Sequence, residues 1–180
     1  MRLAAKIAVV SVILVGALTI SATREAVPLF LNTTPSEPEG LYAVISHHPK
    51  QLTLGEYVAA CPPMNMNTAT AKARGYLASG TCPGDMVPVL KQVEALPGDI
   101  VETSAVGVIV NGNILPRTAP LHFDEKGRVL VHYPYGIYHV PAGKVWLLST
   151  YAADSYDARY FGPVSTNAVR ATVKPIWIRQ

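Results

Sequence analysis

Three segments of this sequence carry side chains able to do chemistry. Thr34-Pro35-Ser36-Glu37-Pro38-Glu39-Gly40 sets one serine in a backbone restrained by two prolines, just before an apolar run. On its own it reads as an ordinary turn. Val87-Pro88-Val89-Leu90-Lys91-Gln92-Val93-Glu94-Ala95-Leu96 places one lysine among apolar residues, ahead of a Pro97-Gly98-Asp99 turn. That lysine either points out from a half-buried strand or is itself partly buried. Burial would disfavour its charged form and turn it into a base near neutral pH. Asp154-Ser155-Tyr156-Asp157-Ala158-Arg159 offers a hydroxyl and a local ion pair, Asp157 with Arg159. A serine hydroxyl is a weak nucleophile unless a base stands beside it, so these segments matter only if the fold brings them together. The five histidines, His47, His48, His122, His132 and His139, are dispersed, and His47-His48, in a loop, has no carboxylate partner in sequence.

The elements that must position these segments read as mostly β. Fifteen Pro and 13 Gly punctuate short β-branched runs every few residues, the pattern of a strand-rich domain. Strands are predicted at 41–46, 57–61, 86–95, 100–102, 106–110, 114–115, 129–133, 138–140, 144–149 and 171–178. The last contains Pro175, which suits an edge or a bulge. Asn111-Gly112 between apolar runs signals a hairpin. The one convincing soluble helix is 67–77, with Asn67 or Thr68 as its cap, inside an excursion covering 62–81.

Arg2 and Lys6 precede an apolar run from Ile7 to Thr23. At 1.5 Å per residue it reaches roughly 25 Å, enough for a thin bilayer core. Basic residues before it place that end in the cytoplasm and the rest of the chain across the membrane. Ser21 and Ala22 also allow a cleaved signal peptide; either reading exports the domain. The organisation is therefore an anchor or signal segment at 1–23, a connector at 24–35 and a domain at 36–180. In an oxidising compartment Cys61 and Cys82 are expected to pair, closing a loop worth about 3 kcal/mol; two buried free thiols are the alternative. The net charge of +3 is small and scattered, which argues against nucleic acid as a partner. Trp146 and Trp177 fit either a membrane interface or a buried core.

In their order, with Ser36 and Lys91 55 residues apart, the three segments resemble the signal peptidase I (leader peptidase) family of Ser–Lys proteases. Asn32-Thr33-Thr34-Pro35-Ser36, the two Cys-Pro pairs, Ser155-Tyr156-Asp157-Ala158-Arg159-Tyr160-Phe161-Gly162-Pro163-Val164 and Pro175-Ile176-Trp177 place it nearest the TraF-type peptidases of conjugative transfer. The resemblance implies a signal-peptidase-like antiparallel β domain with Ser36 as nucleophile and Lys91 as general base. Ser155 would orient the Lys91 amine. The Ser36 backbone N–H and the Thr34 hydroxyl would face the oxyanion, and Asp157–Arg159 would brace the Ser155 loop. It implies no cofactor and no metal. The implied substrate is a membrane-anchored, pilin-like precursor, cleaved or cyclised at the periplasmic face of the inner membrane beside lipid and other conjugation or secretion components. A general signal peptidase and a catalytically silent scaffold module of a secretion channel are the alternatives. Three positions depart from the family pattern: Glu37 stands where Met is common, Ser149-Thr150-Tyr151-Ala152 replaces Gly-Asp-Asn-Arg, and Ala158 stands where Ser is frequent.

Overall fold

A computed structural model describes residues 28–179. The anchor or signal segment at 1–23 lies outside the described residues, and among those described no helix is long and apolar enough to cross a membrane. The fold is mostly β. A large antiparallel sheet is built from β1 (Leu29–Asn32), β2 (Gly40–His47), β3 (Tyr57–Ala60), β4 (Val89–Ala95), β9 (Lys144–Leu148), β10 (Val164–Ser165) and β11 (Val169–Ile178). Its order is β1-β2-β11-β3-β4-β9-β10. A smaller sheet holds β5 (Ile100–Ser104), β6 (Gly107–Val110), β7 (Asn113–Ile114) and β8 (Gly136–His139), ordered β7-β6-β5-β8. The main core lies where the sheets meet: Val58, Val93, Trp146 and Leu148 of the large sheet pack with Val101, Val108 and Val110 of the small one.

Local chemistry accounts for several connections. Asn111 (φ 50°) and Gly112 (φ 81°) both take the left-handed conformation that a two-residue hairpin turn needs. In the Pro97-Gly98-Asp99 turn, Leu96 N donates to Asp99 Oδ2 at 2.7 Å. Gly40 opens β2 at φ 148°, and a Cβ there would lie 2.1 Å from the Trp177 carbonyl oxygen. Only glycine lets β11 close against the start of β2, directly after the serine-bearing turn.

The structure differs from the sequence reading at four places. Within the 24–35 stretch read as a connector, Leu29–Asn32 forms β1, paired with Leu41 and its neighbours on β2; backbone pairing, invisible to composition, recruits it. The helix α1 spans Met66–Ala73, and its cap is Asn65, whose side chain accepts from Thr68 N in a capping box. Residues 86–88, read as strand, precede β4, and Met86 makes only an isolated bridge to Cys82. Residues 129–133 form no strand. Val129 O and Val131 O take side-chain donors instead, Arg74 at 2.7 Å and Asn67 at 3.1 Å, which lays the segment against α1. Of the two settings expected for Pro175, the structure takes the bulge, since β11 is interior to the sheet. Pro175 is still accommodated, because β3 pairs only as far as Val173 and a bulge follows Pro175. Cys61 and Cys82 are joined, with Cα atoms 5.5 Å apart. They pin the α1 excursion to the end of β3, where they pack with Ala71, Leu77 and Met86. Trp146 is core; Trp177 is 61% exposed.

Candidate active site

Ser36 is carried by the tight turn between β1 and β2, and Asn32, the last residue of β1, shapes that turn. Asn32 is buried. Its Oδ1 accepts from Thr34 N at 3.2 Å and Thr34 Oγ1 at 2.9 Å, and its Nδ2 reaches the carbonyls of Thr34, Glu37 and Pro38 at 2.9, 2.9 and 3.1 Å. One amide thereby fastens both sides of the turn. From the opposite side Ser149 Oγ, at the end of β9, donates to Ser36 O at 2.6 Å. Side-chain amides and hydroxyls commonly satisfy turn backbone in this way.

Lys91 reaches the serine from β4. Strand side chains alternate between faces, so Lys91 shares a face with Val93 and Ala95, both buried in the main core. It stands opposite Val58 of β3, and the residue is 2% exposed. Its Nζ donates to Ser36 Oγ at 2.7 Å and to Leu90 O at 2.7 Å. Burial pushes its pKa down; the neighbouring carboxyl groups of Asp157 and Glu37 act to raise it, and Arg159 lowers it further. Of the two orientations open to a lysine in an apolar run, the fold takes the buried one. A buried amine bonded to a serine hydroxyl can take that hydroxyl's proton.

The remaining candidates are placed unequally. Thr34 Oγ1 lies 3.3 Å from Ser36 Oγ while donating to Asn32 Oδ1. Ser155 is buried and borders the same groove as Ser36 and Lys91, but its hydroxyl has no partner among the described residues. It makes no hydrogen bond to Lys91, whose bonds go to Ser36 and Leu90. Asp157 and Arg159 form a fully buried ion pair at 2.8 Å. Arg159 also donates to the carbonyls of Ser155 (3.0 Å), Ala153 (2.9 Å) and Arg117 (2.8 Å), and Asp157 Oδ2 accepts from Ser149 N at 2.9 Å. The pair thus holds the Ser155 loop and, through Ser149, the carbonyl of Ser36.

Beside the dyad runs a groove of about 780 Å³ whose lining is mainly apolar. Phe30, Leu31, Val87 to Leu90, Tyr76 and Phe123 are among the residues that line it. Residues 1–178 match the family model for signal peptidase, peptidase S26. The chain belongs to the peptidase S26 family.

It is 37% identical over 162 residues to a plasmid transfer protein TraF of Escherichia coli, covering 90% of this chain and 89% of the relative. It is 37% identical over 147 residues to the conjugal transfer protein TraF of Agrobacterium fabrum strain C58, covering 82% and 81%. A crystal structure of a signal peptidase I from Enterococcus faecalis V583 overlaps 68% of this chain and 97% of its own at 19% identity, with a TM-score of 0.40.

Two contributors to this S26 site were not picked out from sequence. Asn32 lay in the presumed connector; an Asn two residues before a threonine at a turn is a usable signal for an Asx turn. Ser149 had no local signal, since its partner Ser36 is 113 positions away.

Proposed function

We propose that this S26 chain is a membrane-associated serine endopeptidase that matures a pilin-like precursor of a conjugation system. The observation that carries the reading is the 2.7 Å contact between Ser36 Oγ and a buried Lys91 Nζ at the wall of an apolar groove. An extended peptide lies in the groove with its scissile carbonyl at Ser36. Neutral Lys91 takes the Ser36 proton as Oγ bonds to the carbonyl carbon. The oxyanion is met by the Ser36 N–H and by the Thr34 hydroxyl once it turns from Asn32, and Ser155 offers its free hydroxyl to Lys91 as the amine moves. The C–N bond then breaks, and Lys91 returns the proton to the leaving amine. The acyl group on Ser36 is transferred either to water or to the substrate's own N-terminal amine; in each case Lys91 takes a proton from the attacking group and passes it to Ser36 Oγ as the ester bond breaks. The second route closes a ring.

The names of the TraF relatives support the conjugal setting. The test is processing of the pilin precursor encoded with this chain, in cells carrying wild type or Ser36→Ala at equal membrane levels. Processing is expected only with wild type, and a mature mass one water below the linear product identifies cyclisation. Normal maturation with Ser36→Ala would remove the reading.

Membrane proximity has its own support. The β1–β2–β11 register sets Leu31, Leu41 and Trp177 side by side on one face, with Leu31 and Trp177 each 61% exposed. Exposed aromatic and aliphatic side chains in a row suit a lipid interface. In proteoliposomes of the full chain, brominated lipids are expected to quench Trp177 fluorescence and spare Trp146. Equal quenching before and after Trp177→Gln would place this face away from lipid.

A further inference from the structure

The residue after the nucleophile is a glutamate whose carboxyl group is buried without a hydrogen bond. Glu37 is 0% exposed, and neither carboxyl oxygen has a hydrogen-bond partner among the described residues. Its position is nonetheless well determined. Asn32 holds its carbonyl, and Ser149 holds the carbonyl of Ser36 before it. The Ser149 hydroxyl lies beside the Glu37 carboxyl, but its proton goes to Ser36 O, and it accepts from Tyr151 N at 3.2 Å and Ala152 N at 3.1 Å. The charged and titratable groups around Glu37 are Lys91 and Glu94 on β4, Asp157 and Arg159 beside the Ser155 loop, Tyr42 on β2 and Tyr57 on β3.

Charge counting narrows what Glu37 can do. Asp157 and Arg159 cancel each other in their own ion pair. Glu94 is only half-buried, so Glu37 and Lys91 are the two fully buried groups left, and they balance as two neutral groups or as two ions. The ionic arrangement would bury a carboxylate without donors, since the Lys91 Nζ bonds go to Ser36 Oγ and Leu90 O rather than to Glu37. An unsolvated carboxylate with no hydrogen bond is strongly disfavoured. The neutral arrangement keeps the carboxyl proton on Glu37 and leaves Lys91 as the free amine that the dyad requires.

Resting on the peptidase reading for its consequence, we infer that Glu37 is a positioning residue that sets the proton affinity of Lys91: neutral, it leaves the amine free to accept the Ser36 proton; ionised, it favours the ammonium and delays the free amine to higher pH. Burial raises Glu37 to about 7 and lowers Lys91, so the two groups are moved toward one another and titrate as a pair. A Met at this position, common in the wider family, has no ionisable group and forgoes this control.

The test reads the lysine directly, without turnover. In the full chain labelled with 13C at lysine Cε, the Lys91 signal is assigned by its loss in Lys91→Met and followed against pH. Wild type is expected to show two inflections, one from its own proton and one from Glu37. In Glu37→Gln and Glu37→Met a single inflection is expected, about one pH unit lower, because an anion that favoured the ammonium is gone. The Met variant leaves no orphaned polar atom, so it stays informative if the Gln variant does not fold. A single inflection in wild type, or a Lys91 titration unmoved or raised in a folded variant, overturns the inference. Because no substrate is cleaved, a failed peptidase reading leaves this result standing, and the reverse also holds. With activity in hand, the rising limb of kcat/KM is expected to move to lower pH in Glu37→Met.

Discussion

Lys91→Met is expected to lower kcat/KM on a peptide substrate by roughly four to six orders of magnitude without lowering Tm. Both halves follow from where the amine sits. Its Nζ is 2.7 Å from Ser36 Oγ, so its removal leaves a hydroxyl with no base. The side chain shares a face with Val93 and Ala95 in the core, where a methionine of similar length packs without the desolvation cost of an ammonium. The loss of activity therefore comes from lost chemistry, which a thermal melt beside the rate measurement separates from misfolding. The pH dependence has a definite sign. Burial lowers the Lys91 pKa, so the neutral, reactive amine appears on raising the pH, at a value below that of ordinary lysine. Wild-type activity should climb with pH through that region and level off above it. A folded Lys91→Met protein with near-normal kcat/KM would show that another group takes the Ser36 proton.

The second large effect is on stability. Asp157 and Arg159 are both fully buried and 2.8 Å apart. Truncating one partner leaves the other charged and unpaired inside the protein, which costs about 3–5 kcal/mol. For a chain of this size that lowers Tm by roughly 10 °C. Arg159→Ala also withdraws donors from the carbonyls of Ser155, Ala153 and Arg117, and Asp157→Ala releases Ser149 N. Since Ser149 Oγ holds the carbonyl of Ser36, Asp157→Ala should lower kcat even well below its own melting temperature. The double variant Asp157→Leu/Arg159→Met, which leaves no lone charge, is expected to lose less stability than the two single truncations added together. A double variant as unstable as that sum would mean that the bonds to backbone, rather than the pairing of charges, dominate.

Local features were legible in the residues wherever the physics is local. The Asn111-Gly112 hairpin, the Pro97-Gly98-Asp99 turn and the strand after Gly40 follow from backbone preferences that act over a few positions. The α1 cap was misplaced by two to three residues because Asn65, Asn67 and Thr68 can all cap, and the choice between them rests on Asn65 and Thr68 bonding reciprocally. Residues 129–133 have a β-like composition, yet their carbonyls are taken by Arg74 and Asn67, partners more than 50 positions away. Asn32 and Ser149 were missed for the same reason: each matters through what it holds, and those bonds exist only once β1, β2 and β9 meet.

The dyad divides along this line. Taken one position at a time, the serine in a proline-bracketed turn and the lysine in an apolar run each have an ordinary reading; it is the order of the three segments, and the resemblance to the signal peptidase I family that this order carries, that nominates Ser36 and Lys91 together. Whether Lys91 faced water or the core was not determined locally, since apolar neighbours on both sides suit either face of a strand. Tertiary structure decided it, by pairing β4 between β3 and β9 with Lys91, Val93 and Ala95 turned toward the core. The same closure buried Glu37 beside the dyad without a partner. Proton affinity depends on solvent and neighbouring charge, and neither exists for a side chain until the chain has folded around it.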